Sequence, residues 1–143
     1  MKRSILVEGD GGPLAVALAG ANVPDAQLPA ATLDAVIVER PEPEPDYPQN
    51  LCLDKGYDND AGWEAAVDHD YIPHIALIRD ERPERPKRHP ARRWVVERTI
   101  SWLNSCRAIL VRYAKKAENY LGLIKLACAL LWYRRLHRLS VLR

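Results

Sequence analysis

The sequence predicts an α/β domain. Three observations carry the prediction: short apolar alternations of the kind strands need, two stretches with apolar residues at three- and four-residue steps, and a strand, helix, strand succession near the middle. With 143 residues, 48% of them apolar, the chain fills one hydrophobic core and hardly more than one domain, so residues 1–143 are read as a single unit.

Residues 3–8 alternate around Ile5 and Val7, and Leu14, Val16 and Leu18 alternate with alanines after the turn-rich Gly9-Asp10-Gly11-Gly12-Pro13, which predicts a β-hairpin. Asp25 precedes Leu28, Leu33 and Val36 at near-helical spacing and is placed to cap a short helix, with Pro29 tolerable in its first turn. Residues 39–50 alternate proline with acids and have nothing with which to build a core, so they read as an exposed linker.

Next comes Leu51-Cys52-Leu53-Asp54, an apolar run that ends on an acid, then a turn at Gly56, a helical stretch through Trp63, Ala66 and Val67, and a second buried strand over residues 72–78. Strand, helix, strand at this spacing predicts a parallel crossover, with Asp54 at the C-terminal end of the first strand, where ligand sites of α/β sheets gather. Residues 79–93, charged and broken by proline, form a basic loop. From Arg93 onward Val96, Ile100 and Leu103 give a helix one apolar face. A final helix over residues 120–139 contains LGLIKLACALLWY, shorter than the ~20 residues a bilayer needs and bounded by Arg134 and Arg135, so it reads as a buried helix and not as a membrane span.

The net charge of +2 conceals a polarity. Residues 1–70 carry 4 Lys/Arg against 14 Asp/Glu, and residues 71–143 carry 17 against 5, so the halves stand at −10 and +12. Such asymmetry points to an anionic partner for the C-terminal half, nucleic acid above all, unless the halves pair with each other. Cys52, Cys106 and Cys128 stand far apart with no CxxC spacing, and the four histidines show no metal-ligand spacing. The N-terminus meets an acid too soon for a signal peptide, so the cytoplasm is the expected location.

Asp54 and Glu97 both have apolar neighbours, where an unpaired charge is expensive. Either cations compensate them, Lys55 beside Asp54 and Arg93 one turn before Glu97, or a divalent metal bound between the two does so. Arg79, Arg82, Arg85, Lys87, Arg88, Arg92 and Arg98 cluster around the basic loop and suit a DNA backbone, whose contacts are mostly electrostatic. Trp94 and Trp102 suit either base stacking or the core, and the core is the expectation for Trp102.

The succession of KRSILVEGDGGPLAVALAGANVPDAQL, LCLDKGYD, RRWVVERTISWLN, the Arg112-Tyr113 step and LIKLACALLWYRRL resembles insertion-sequence transposases of the DDE type. The resemblance runs through nearly the whole chain. It implies a ribonuclease H-like mixed sheet with flanking helices, in which an Asp on the first strand, an Asp on the fourth and a Glu on a later helix hold two Mg2+ or Mn2+ ions. Two such ions activate the attacking oxygen and neutralise the leaving one in phosphodiester cleavage and strand transfer. Asp54 matches the second acid and Glu97 the third, and Arg93 matches an arginine that contacts DNA phosphate.

The resemblance also exposes departures. This chain begins where the family's second strand begins, so the first strand and its Asp are expected to lie outside it. Glu8 and Asp10 sit at a hairpin turn, a poor place for a substitute. A tyrosine common in relatives is Pro90 here, and a later lysine is Asn104. The expectation is therefore a C-terminal catalytic-domain part, inactive alone, that acts on transposon ends and target DNA once an upstream segment or full-length transposase completes it. It would be associated with the nucleoid and with no membrane. The alternatives are a non-enzymatic regulatory DNA-binding fragment and a decayed remnant.

Overall fold

The computed structural model describes residues 1–75 and 93–139, apart from the side chain of Arg93. The hairpin forms as expected, with β1 (Lys2–Val7) antiparallel to β2 (Pro13–Ala19) and Ile5 opposite Val16. Side chains alternate across a strand. Ile5, Val16 and Leu18 therefore pack into one cluster, with Leu103, Ile109, Tyr120 and Ile124, while Leu6 joins another with Leu33, Leu51 and Ala66. The hairpin is the middle layer between two helical layers.

One layer holds α1 (Leu28–Asp34) and α2 (Asp60–Asp68). A 3-10 turn over Asp25–Gln27 leads into α1, and Asp25 does not cap it: its carboxylate pairs with Lys2 Nζ at 3.0 Å, tying the turn to β1. Pro29 sits in the first turn, where no intrahelical N–H is lost. The Thr32 hydroxyl, buried, lies 2.7 Å from both the Leu28 carbonyl and the Ser4 hydroxyl. Asn59 caps α2 by accepting the Gly62 N–H at 3.0 Å. Residues 41–48 are exposed, as their composition implies.

The crossover also forms. Strand β3 (Asn50–Leu53) runs parallel to β4 (Ile72–Ile75), with α2 between them in sequence. Residues 76–78, the rest of the expected strand, and residues 79–92 of the basic loop lie outside the described residues. The two strand pairs are separate two-stranded sheets. Among the described residues β1 bonds only to β2 and β3 only to β4, although Leu6 of β1 and Leu51 and Leu53 of β3 share one apolar cluster.

The opposite layer consists of α3 (Arg93–Asn104), α4 (Arg107–Leu110) and α5 (Ala117–Arg138). The buried face of α3 is Val95, Thr99 and Leu103: Leu103 is buried as expected, but Val95 and Thr99 take the places expected of Val96 and Ile100. The shift arises because a threonine occupies the deepest position: its hydroxyl donates to the Gly11 carbonyl at 2.6 Å, which removes the cost of burying it. Helix α5 starts three residues earlier than expected, at Ala117, and buries Tyr120, Ile124 and Ala127. The expectation of a wholly buried helix is corrected, since its opposite side is open to water.

Candidate active site

Asp54 follows directly on β3 and caps the 3-10 turn Lys55–Tyr57, its carboxylate accepting the Lys55 N–H at 2.7 Å. A short apolar strand that ends on an acid and then turns produces this geometry, because the acid side chain satisfies an N–H the turn leaves open. Asp54 is exposed. Burial pushes the pKa of the Tyr57 hydroxyl up, and the charges of Asp25 and Asp54 push it the same way, so these three groups share one acidic corner.

Glu97 is exposed on α3, and Arg93 opens that helix one turn earlier. Arg85, Lys87, Arg88 and Arg92 lie outside the described residues. Arg98 is turned towards the hairpin: Nη2 donates to the Asp10 carbonyl at 2.5 Å, and the guanidinium lies 4.7 Å from the Trp94 ring centroid and 5.0 Å from that of Trp102. Trp94 is 57% and Trp102 42% exposed, so the expectation of Trp102 as core is corrected. The two rings flank a cation in place of packing against the hydrophobic cluster.

The turn between β1 and β2 anchors this helix, and local spacing gave no sign of it. Glu8 accepts the Asp10 N–H at 3.0 Å and the Gly12 N–H at 2.9 Å, and pairs with Arg135 of α5 at 2.5 Å. Arg135 also reaches Asp10 at 3.3 Å, and Trp132 donates through Nε1 to the Pro13 carbonyl at 2.8 Å. Gly11 has φ +93°, and a side chain at Gly12 would overlap the Trp132 indole. Two adjacent glycines are thus required, one for conformation and one for space. Glu8 is committed to this turn. Burial pushes its pKa up, but the two backbone N–H groups and Arg135 outweigh burial and the net shift is downward.

Asn104 accepts from Arg3 Nη2 at 2.8 Å and so fastens the end of α3 to β1. Together these contacts fix the helix that carries Glu97 against the hairpin. Asp54 stands on the crossover unit and Glu97 on the helical layer, both exposed. Among the described residues no group of three or more His, Cys, Asp or Glu side chains is suited to hold a metal ion, and no helix is long and apolar enough to cross a membrane.

Residues 1–132 match the family model for the transposase DDE domain. The chain is also 33% identical over 139 residues to the transposase assigned to insertion sequence element IS402 in Burkholderia cepacia. That match covers 96% of this chain but only 64% of the relative's length. No solved structure matches the chain.

Proposed function

The chain belongs to the transposase DDE-domain family, and on that premise we propose that it supplies the second and third acids, Asp54 and Glu97, of a ribonuclease H-like catalytic domain that cuts and joins DNA at the ends of an insertion sequence. One observation carries the reading. The β1–β2 and β3–β4 pairs are separate sheets, yet Leu6 of β1 and Leu51 and Leu53 of β3 pack into one cluster. One further strand between β1 and β3 would join them into a five-stranded mixed sheet. It would also bring an acid on that strand beside Asp54.

Members of this family depend on divalent metal ions. The acids described do not by themselves form a site of three donors, so Asp54 and Glu97 alone do not fit a two-metal centre. The completing strand comes from outside this sequence, either from an upstream segment or from a full-length transposase, and Mg2+ or Mn2+ is the ion expected once it is in place. Arg93 and the basic residues Arg85, Lys87, Arg88 and Arg92 contact DNA phosphates of the transposon ends and target, next to the nucleoid in the cytoplasm. Arg98 acts from the same helix mainly as a tie to the hairpin.

The test is cleavage of labelled element ends in the presence of Mn2+. The chain alone is expected to leave them intact. The chain joined to an upstream segment that supplies a strand with an Asp is expected to cut and join them, and Asp54→Ala or Glu97→Ala is expected to abolish both steps. Metal-dependent nicking by the unassisted chain, lost in Asp54→Ala, would mean that the first acid of the triad lies within this sequence. The incomplete acid set supports a second reading, a regulatory fragment that occupies element ends without cutting. DNA binding with no cleavage in the completed protein would favour it.

A further inference from the structure

Two of the three cysteines, far apart in sequence, are brought to one place by the fold. Cys106 stands between α3 and α4, where its N–H donates to the Leu103 carbonyl and its carbonyl accepts the Ile109 N–H, both at 3.0 Å. Leu103 and Ile109 are fully buried, so this turn lies directly on the hydrophobic cluster, and Cys106 packs against it. Cys128 packs against the same cluster from α5, one turn after the buried Ile124. The two elements are fastened there by the Tyr120 hydroxyl, which donates to the Ile109 carbonyl at 2.8 Å. Burial raises the pKa of the Cys128 thiol, and the charge of Cys106 raises it further, as a near neighbour does. Both are free, half-buried thiols, whereas Cys52 is exposed on β3.

We propose that Cys106 and Cys128 form an oxidisable dithiol that closes to an intrachain disulfide and pins α4 to α5. Such a bond needs the two Cα atoms within roughly 4.4 to 6.8 Å. The Cys106 side is the one that adjusts, because α4 is a turn of 4 residues followed by residues 111–116 with no helix or strand, while α5 is a helix of 22 residues. Peroxide is the oxidant. The Cys106 thiolate attacks one peroxide oxygen, the O–O bond breaks, and the departing hydroxide takes up the thiol proton as water, leaving Cys106 a sulfenic acid. Cys128, whose thiol burial keeps protonated, resolves it. Its sulfur attacks the Cys106 sulfur, the S–O bond breaks, and hydroxide leaves with the Cys128 proton as a second water. Two thiols thus lose two electrons and two protons, and one peroxide becomes two waters.

The proposal is independent of whether the chain cuts DNA. The full chain is reduced, cleared of reductant, treated with hydrogen peroxide and alkylated, and its peptides are then mapped by mass spectrometry without reduction. A peptide linked through Cys106 and Cys128 is expected in the wild type and in Cys52→Ser alike. Cys128→Ser is expected to form no such bond and to hold Cys106 as a sulfenic acid that dimedone captures. Closing a loop of roughly 22 residues should raise the melting temperature by roughly 5 °C, and dithiothreitol should reverse the rise. Alkylation of both thiols after peroxide in Cys52→Ser, or linkage only through Cys52 between two copies, would overturn the proposal. So would a Cys106–Cys128 bond that lowers the melting temperature, because it would form only by pulling α4 and α5 out of their native packing.

Discussion

Arg135, in the last turns of α5, meets Glu8, the residue after β1, at 2.5 Å across a sequence separation of 127. The pair ties the tip of the hairpin to the C-terminal helix, and Glu8 is held by the turn as well.

Loss of Glu8 is therefore expected to destabilise more than a surface ion pair does. Glu8→Ala leaves the Asp10 and Gly12 N–H groups and Arg135 without their acceptor, at a cost of about 2 kcal/mol. The folded pKa of Glu8 is lowered, so its contribution is present above the unfolded value, near the ordinary 4.5, and is lost as pH falls through the folded value. Urea denaturation of wild type and Glu8→Gln at pH 7 and at pH 3 checks this. Equal stability of the two at pH 7 would contradict it.

His69 carries the opposite pH dependence. Burial pushes its pKa down, but the hydrogen bond to Asp34 at 3.0 Å and the Ala65 carbonyl push harder, and the net shift is upward. Its contribution is complete below the unfolded value, near 6.5, and disappears as pH rises through the higher folded value. Asp34 is mostly open to water, so the size is about half a kcal/mol or less. His69→Gln should lower the melting temperature slightly at pH 5.5 and not at pH 9. A larger loss at pH 9 would reverse the assignment.

Gly12→Ala is expected to cost roughly 1 to 3 kcal/mol, since its methyl group would strike the Trp132 indole while Trp132 is held by the Pro13 carbonyl. The cost should shrink when Trp132 is replaced by Leu. A double-mutant cycle with no coupling between the two positions would show that the backbone, and not the indole, opposes the substitution.

Affinity for DNA is expected to fall by roughly tenfold or more between low and physiological salt for a handful of phosphate contacts, with little dependence on sequence. Replacing Arg85, Lys87 and Arg88 together by Ala should flatten the slope of log affinity against log salt. An unchanged slope would move the contact surface to Arg134 and Arg138, at the exposed end of α5.

Hydrogen exchange tests the place of the completing strand. The amides of β1 and β3 that do not bond to β2 and β4 should exchange fast in the chain alone and slow by orders of magnitude when the upstream strand is supplied. Full protection of both edges in the monomeric chain would mean that the slot is already closed.

The sequence reading succeeded where the determining interactions are local. Alternation around Ile5 and Val16 specifies the hairpin, and an apolar run ending on an acid before a turn puts Asp54 at the end of β3. It slipped where burial is made tolerable by a distant partner. Thr99 takes the deepest position on α3 because the carbonyl of Gly11, 88 residues away, accepts a hydrogen bond from its hydroxyl, and no apolar periodicity records that. Trp102 looks like core by composition, but Arg98 holds it at the surface. Asp54 and Glu97 were legible as acids in unusual company. The clamp that orients the helix of Glu97 joins residues far apart and leaves no local signal.

The clamp also constrains the order of events at the ribosome. Gly11, Glu8 and Pro13 find their long-range partners at Thr99, Arg135 and Trp132, so the hairpin leaves the exit tunnel long before α3 and α5 can close on its tip. At roughly 5 to 20 residues per second, translation keeps it waiting on the order of ten seconds. Throughout that interval the face of the nascent hairpin that α3 and α5 later cover, with Ile5, Val16 and Leu18 on it, stays open to water, a natural client for a chaperone.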